Sequence, residues 1–167
     1  ACAKHPDCIV ILDLAYQGFK GEPEEDSSAV QIVADAGVTL LIAWSASKNH
    51  AIYGLRTGCA FALADDVQQR SVLEGHYSTL SRGLYSAAPT FGQHIVARAQ
   101  CTYADVWRKD MAACRTMLRK KRELMRTLLP ESFQKSLAGY GMFAMLPISA
   151  KQVEALMERD VYFTLDG

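Results

Sequence analysis

The sequence has no excess of either charge: 18 Lys and Arg are matched by 18 Asp and Glu in 167 residues. Such a balance presents no extended field to nucleic acid, an anionic membrane or another charged polymer, so none of these is expected as a partner. The basic run Arg119, Lys120, Lys121, Arg122 lies inside a helical pattern with Glu123 and apolar residues, and reads as a solvated helix face. Long apolar runs are also missing. The segment from Cys8 to Leu14 is too short to span a bilayer and carries Asp13, and no signal peptide is visible. Five cysteines (Cys2, Cys8, Cys59, Cys101, Cys114) are an odd set at irregular spacing, which argues for reduced thiols and a cytoplasmic location rather than a disulfide framework. Cys2, His5 and Cys8 have a ligand-like spacing, but no fourth ligand stands near them, so no metal is expected. Internal repeats and low-complexity stretches are absent as well.

What is present suffices for a buried core: half of the residues are hydrophobic and 22% are charged. Cys8 to Leu14 reads as a central, buried strand, Glu24 to Ala36 as a helix stopped by Gly37, and Val38 to Trp44 and Gly58 to Ala64 as two further strands. This alternation predicts an α/β fold with a doubly wound sheet. Beyond Asp65 the pattern turns helical, over Val67 to Leu84, Gly92 to Gln100 and the long stretch Tyr103 to Leu129, which stops before Pro130. A strand over Gly141 to Ile148, a helix over Ala150 to Glu158 and a strand over Val161 to Thr164 complete the expectation. The domain boundary is expected between residues 98 and 110, with residues 1–100 in a large α/β domain and residues 101–167 in a smaller α+β one. The tyrosines and methionines are expected mostly in the core. His50, His76 and His94 show no triad or ligand spacing and read as structural or surface residues.

Polar side chains cluster where two predicted strands end. Asp13 and Tyr16 follow the first, Ser45 and Lys48 the second, and Arg56 comes eight residues after the lysine. Open α/β sheets bind ligands at the carboxyl ends of their strands, so these groups could share a crevice. Taken singly, each has an ordinary reading as a loop carboxylate, a surface lysine or half of an exposed ion pair. Taken together they match what pyridoxal phosphate requires. A lysine amine must link to the cofactor aldehyde, and Lys48 supplies it. A carboxylate must keep the pyridine nitrogen protonated so that the ring withdraws electrons, and Asp13 fits. Tyr16 could donate to the ring oxygen, while Arg56 and Ser45 suit the phosphate.

Asp13-Leu-Ala-Tyr-Gln-Gly-Phe19 resembles the D-x-A-Y-Q-G-F motif of the aspartate/aromatic aminotransferases, pyridoxal-phosphate-dependent enzymes of class I. Ser45-Ala-Ser-Lys-Asn49 is similar to that family's S-x-S-K-N, and Tyr53-Gly-Leu-Arg-Thr-Gly58 to its Y-x-E-R-V-G. Arg82 precedes Tyr85-Ser86 and Pro89 as the family's substrate-binding arginine precedes Y-S-N-P-P. Gly141-Met-Phe143 and the ending from Val161-Tyr162 to Asp166-Gly167 resemble the family's small domain. The resemblance implies the fold type I architecture, here the C-terminal two-fifths or so of the family's length. It implies Lys48, Asp13 and Tyr16 as catalytic residues, and Ser45, Ser47 and Arg56 as further cofactor contacts. Arg82 would bind a substrate carboxylate in the partner subunit of a homodimer. The implied reaction is transamination between an amino acid, aspartate or glutamate first, and a 2-oxo acid. The alternatives are an aromatic amino acid aminotransferase, or a truncated non-catalytic chain.

The chain departs from the family in places. His50-Ala51 stand where Phe-Gly is usual, Leu55 replaces an acidic residue, and Ala87-Ala88 replace Asn-Pro. The family's ring-stacking aromatic and ring-oxygen asparagine are expected ahead of Ala1, and its α-carboxylate arginine just after Gly167, so the 167 residues alone are expected to be inactive. Ser45-Ala-Ser-Lys48 also satisfies S-x-x-K of serine β-lactamases and penicillin-binding proteins. That reading fails, because Arg56-Thr-Gly58 lies only eight residues beyond Lys48 and no S-D-N is present.

Overall fold

A computed structural model describes residues 8–64 and 66–163, which fall into two compact units, one up to Met111 and one from Ala112. Cys2 and His5 lie outside the described residues, within which no group of three or more potential metal ligands occurs.

The first unit is built on a three-stranded sheet in the order β1 (Ile9–Leu14), β2 (Thr39–Ser45), β3 (Gly58–Ala62). β1 and β2 run parallel, with Ile9 opposite Thr39 and Leu14 opposite Trp44. Their crossover carries two short helices, α1 (Pro23–Asp26) and α2 (Ser28–Asp35). The single helix expected over this stretch is divided at Ser27, whose N–H and hydroxyl both donate to the Pro23 carbonyl, at 3.1 and 2.7 Å. β3 returns antiparallel to β2, with Ser45 opposite Gly58. The sheet is therefore mixed.

Side chains alternate across this sheet, and among the described residues its fully buried side chains lie on one face of β2. Leu40 and Ile42 of β2 are buried, whereas Ile9 and Ile11 on the opposite face of β1 are 60% and 68% exposed. Among the described residues the expectation of a buried central β1 is corrected: β1 is an edge strand, with Ile9 and Ile11 exposed on one face. An apolar run marks a strand able to be buried on both sides, but only β2 has neighbours on both edges here.

α3 (Val67–Leu84) begins where the Asp66 carboxylate accepts from the Gln69 N–H at 2.7 Å, a normal N-cap. It stops short of Ser86, at φ 63°, and Pro89, and α4 (Thr90–Cys101) starts directly after that proline. α5 (Ala104–Leu128) follows. The core of this unit holds Phe19, Leu40, Ile42, Ala46 and Met111.

In the second unit, described by itself, α6 (Gln134–Leu137) and α7 (Ala150–Met157) follow the C-terminal half of α5. Leu137 and Val153 are its buried apolar side chains. Ser149 and Gln152 close a reciprocal cap at the start of α7, with Ser149 N–H donating to Gln152 Oε1 at 2.8 Å. The basic run is split in its behaviour. Arg119, Lys120 and Lys121 are exposed as expected. Arg122 instead donates to the carbonyls of Leu137, Tyr140, Gly141 and Phe143, and so gathers the segment after α6.

Further expectations are corrected here. Gly141 to Ile148 is irregular rather than a strand, and Val161 to Phe163 form none; Thr164 lies outside the described residues. A strand needs a partner for its N–H and C=O groups, and the described residues of this unit provide none. The unit is accordingly helical and irregular where an α+β pattern was read. Most tyrosines and methionines are not core residues: Tyr53, Tyr85, Tyr103, Tyr140, Met117 and Met145 are all exposed.

Candidate active site

The loop leaving β1 is shaped by one carboxylate. Asp26 Oδ2 accepts from the N–H of Gly18 at 2.8 Å and of Lys20 at 3.1 Å, and Oδ1 from Gly21 at 3.0 Å. Gly18 makes this bend at φ 92°, a backbone region that favours glycine. Gln17 then ties the β1 loop to the β2 loop. Its side-chain oxygen accepts from Trp44 Nε1 at 2.7 Å, its Nε2 donates to the Pro23 carbonyl at 3.0 Å, and its own carbonyl accepts from Asn49 Nδ2 at 3.3 Å. These bonds hold together the turns that carry Tyr16 and Lys48.

The Lys48 ammonium accordingly lies over the Tyr16 ring, 5.2 Å from its centroid, a cation–π arrangement. Tyr16 is partly exposed and meets Phe19 edge-on at 5.8 Å. Partial burial first, and then the proximity of Tyr53 and Asp13, raise the pKa of its phenol, so it keeps its proton through neutral pH. Asp13, at the carboxyl end of β1, accepts from the Ala15 N–H at 2.9 Å, a local turn that leaves its other oxygen for additional partners. Ser45 ends β2, and its hydroxyl accepts from the buried Ser47 N–H at 3.2 Å, starting the turn in which Lys48 sits.

Arg56 is brought to the same end of the sheet by the β2–β3 ladder. Ala46 N–H donates to the Thr57 carbonyl at 3.0 Å, and a side chain at Gly58 would meet the Trp44 carbonyl at 2.5 Å, so only glycine lets β3 approach so closely. Arg56 itself is left-handed at φ 50°, and its guanidinium donates to the Tyr53 carbonyl at 3.0 Å. It lines a cavity of about 460 Å³ with Thr57, Tyr85 and Pro89.

Asp13, Tyr16 and Lys48 are thus gathered at one place, with Ser45 and Ser47 in the turn that leads to the lysine and Arg56 across the ladder. Arg82 is not gathered with them. It is exposed in the last turn of α3, and among the described residues no hydrogen bond or ion pair joins it to the group. The sequence reading gave no role to Tyr53 or Gln17, although both stand inside the motifs it used. A glutamine or tyrosine beside a conspicuous lysine carries no signal of its own until the turns are folded.

These features have clear relatives. The family model described as aminotransferase class I and II matches residues 1–165. The aromatic-amino-acid aminotransferase of Escherichia coli is 34% identical over 172 residues, covering 98% of this chain and 43% of that protein. The mitochondrial aspartate aminotransferase of Schizosaccharomyces pombe is 29% identical, covering 95% of this chain and 39% of that one. Among solved structures, the aromatic-amino-acid aminotransferase from Burkholderia pseudomallei covalently bound to pyridoxal phosphate superposes with TM-score 0.83 at 27% identity, covering 94% of this chain and 41% of its own.

The chain belongs to the class I and II aminotransferases, with the α/β architecture of fold type I. Its relatives within that family are aromatic-amino-acid and aspartate aminotransferases of class I, and it spans about two-fifths of their length.

Proposed function

We propose that this chain forms part of a pyridoxal-phosphate-dependent aminotransferase that moves an amino group between an amino acid and a 2-oxo acid. The observation that carries the reading is the Lys48 amine held over the Tyr16 ring beside Asp13, at the carboxyl ends of two parallel strands. Family membership and a relative covalently bound to pyridoxal phosphate support it.

The donor set fits that cofactor chemically. Lys48 would hold it covalently, Asp13 would pair its ring nitrogen, Tyr16 would donate to its ring oxygen, and Arg56 with Ser45 and Ser47 would take its phosphate. When bound, the cofactor supplies a protonated aromatic ring that withdraws electrons from the bond being broken. The chain's own residues then manage protons. Asp13 would face the ring nitrogen, Tyr16 would keep its phenolic proton, and the Lys48 amine would carry a proton from and back to the substrate carbon. The part of the chain up to residue 100 would belong to the cofactor-binding domain, and residues 101–167 to the smaller one. Two copies would complete each other's sites, Arg82 of one reaching the substrate of the other.

Arg82 favours a dicarboxylic substrate, aspartate or glutamate, because a guanidinium pairs a carboxylate with two parallel hydrogen bonds. A second reading, an aromatic amino acid, is favoured by the 34% identity to an enzyme named for aromatic substrates. Both share the same 2-oxo acid half-reaction. The deciding experiment is transamination to 2-oxoglutarate with aspartate, glutamate, tyrosine and phenylalanine in turn, using the full-length protein. Turnover with any of them supports the aminotransferase reading, their ranking assigns the substrate, and no turnover with any 2-oxo acid overturns it.

A further inference from the structure

Of the residues of α4 only Gly92 is buried, and it is buried against the turn that carries Arg56. A Cβ at Gly92 would fall on the Thr57 hydroxyl oxygen, 3.1 Å from the Thr57 Cβ and 3.4 Å from the Leu55 Cβ. Leu55 and Thr57 are the two chain neighbours of Arg56. Turning the hydroxyl away would not make room. Both Cβ atoms would stay close, and the bond from the hydroxyl to the Leu55 carbonyl at 3.3 Å, which spans Arg56, would be lost. Alanine is favoured over glycine within a helix, so the missing side chain weakens α4 locally and its use lies in the close approach.

The turn has no room to retreat on its other side. The Thr57 carbonyl accepts from the Ala46 N–H at 3.0 Å, and Gly58 lies so near β2 that a side chain there would meet the Trp44 carbonyl. Leu55-Arg56-Thr57 is thus held between the end of β2 and the first turn of α4. Arg56 itself is left-handed at φ 50°, a conformation that a residue with a Cβ keeps only while its surroundings hold it there. In that conformation its guanidinium reaches the Tyr53 carbonyl, and Arg56 lines a cavity to which α4 contributes Gln93.

We propose that Gly92 is a positioning residue for Arg56: by carrying no side chain it lets α4 close on Leu55 and Thr57, and so fixes the guanidinium that takes the cofactor phosphate. This rests on the proposed role of Arg56. Crowding the contact pushes the two neighbours of Arg56 apart from α4, and emptying it leaves them unsupported. Either change releases the left-handed turn. A methyl at position 92 and the Thr57 hydroxyl compete for nearly the same place, so moving the bulk from one side of the contact to the other conserves its volume.

The experiment measures binding of pyridoxal phosphate and of pyridoxal, which lacks the phosphate, to the full-length protein. The readout is the preference for the first over the second in the wild type, Gly92→Ala, Thr57→Ala, the double variant and Arg56→Ala, with urea unfolding to confirm that each is folded. Gly92→Ala should lower the preference severalfold while pyridoxal binds as before. Thr57→Ala should lower it less, and the double variant should recover most of it. A folded Gly92→Ala with the wild-type preference would overturn the proposal, as would equal weakening of both ligands. If Gly92→Ala does not fold, Thr57→Ala and the double variant decide, and a double variant no better than Thr57→Ala overturns it. Arg56→Ala separates the two readings. It should lose most of the preference; if it keeps it, Arg56 does not hold the phosphate and the proposal falls with that role, whereas a loss in Arg56→Ala with none in Gly92→Ala removes the role of Gly92 alone.

Discussion

Tyr16 and Lys48 follow two different strands and meet at 5.2 Å, where Gln17 ties the two turns together through Trp44 and Asn49. The contact gives the amine an electron-rich face without neutralising it by a carboxylate. Tyr16→Phe should keep this contact and hold the cofactor, but shift the pH at which its absorbance titrates, because the donor to the ring oxygen is lost. Tyr16→Ala loses the ring contact as well, and should be about 0.5–1 kcal/mol less stable without cofactor than Tyr16→Phe, the worth of an exposed cation–π contact. Spectrophotometric titration with pyridoxal phosphate checks the first expectation and urea unfolding the second.

Ala51 adopts φ 54°, where a residue with a Cβ is strained by roughly 1–2 kcal/mol. Glycine relieves that strain but loses about 0.5–1 kcal/mol through the freer unfolded chain. Ala51→Gly should therefore stabilise the protein modestly, seen as a higher urea midpoint at unchanged m-value. A lowered midpoint would show that the turn after Lys48 is not strained.

Glu24 is paired with Arg108 at 3.1 Å, and that hydrogen bond, chiefly, lowers its carboxyl pKa to about 2. A depressed carboxyl stabilises the fold fully above its unfolded value near 4.5, and the contribution is lost as pH falls through about 2. Arg108→Ala should thus lower thermal stability at neutral pH, and the difference from wild type should shrink steadily below pH 4.5. High salt should shrink it too, since Glu24 is largely and Arg108 partly exposed. Melting curves across pH and salt make the comparison.

Arg82→Ala, in the full-length protein, should cost about 2–5 kcal/mol in kcat/KM for aspartate, as for a lost buried charge pair. Aromatic substrates should lose far less. Equal losses for both would remove Arg82 from the substrate site.

Much of this was legible in the linear sequence, for identifiable reasons. α3 was readable to the residue because Asp66 caps it and the Ser86–Pro89 stretch ends it. The convergence of Asp13, Tyr16 and Lys48 was readable because parallel strands place their carboxyl ends together. Other features were not. Ile9 and Ile11 look the same in sequence whether their face is covered or bare. Gly141 to Ile148 has the apolar content of a strand, but a ladder depends on a partner that local residues cannot announce. The division of the crossover helix at Ser27 is not encoded in helix periodicity either. The ring cage of His50 was hidden most fully, since Trp44, Gln100 and Trp107 reach it from three separate elements.

The central claim is that Lys48 carries the cofactor, and covalent trapping tests it most directly. The full-length protein is loaded with pyridoxal phosphate, reduced with borohydride, digested and mapped by mass spectrometry. The label should fall on Lys48 in near-unit stoichiometry and disappear in Lys48→Ala, which should still bind some cofactor through noncovalent contacts. A label on any other lysine, or none on Lys48 under saturating cofactor, contradicts the claim.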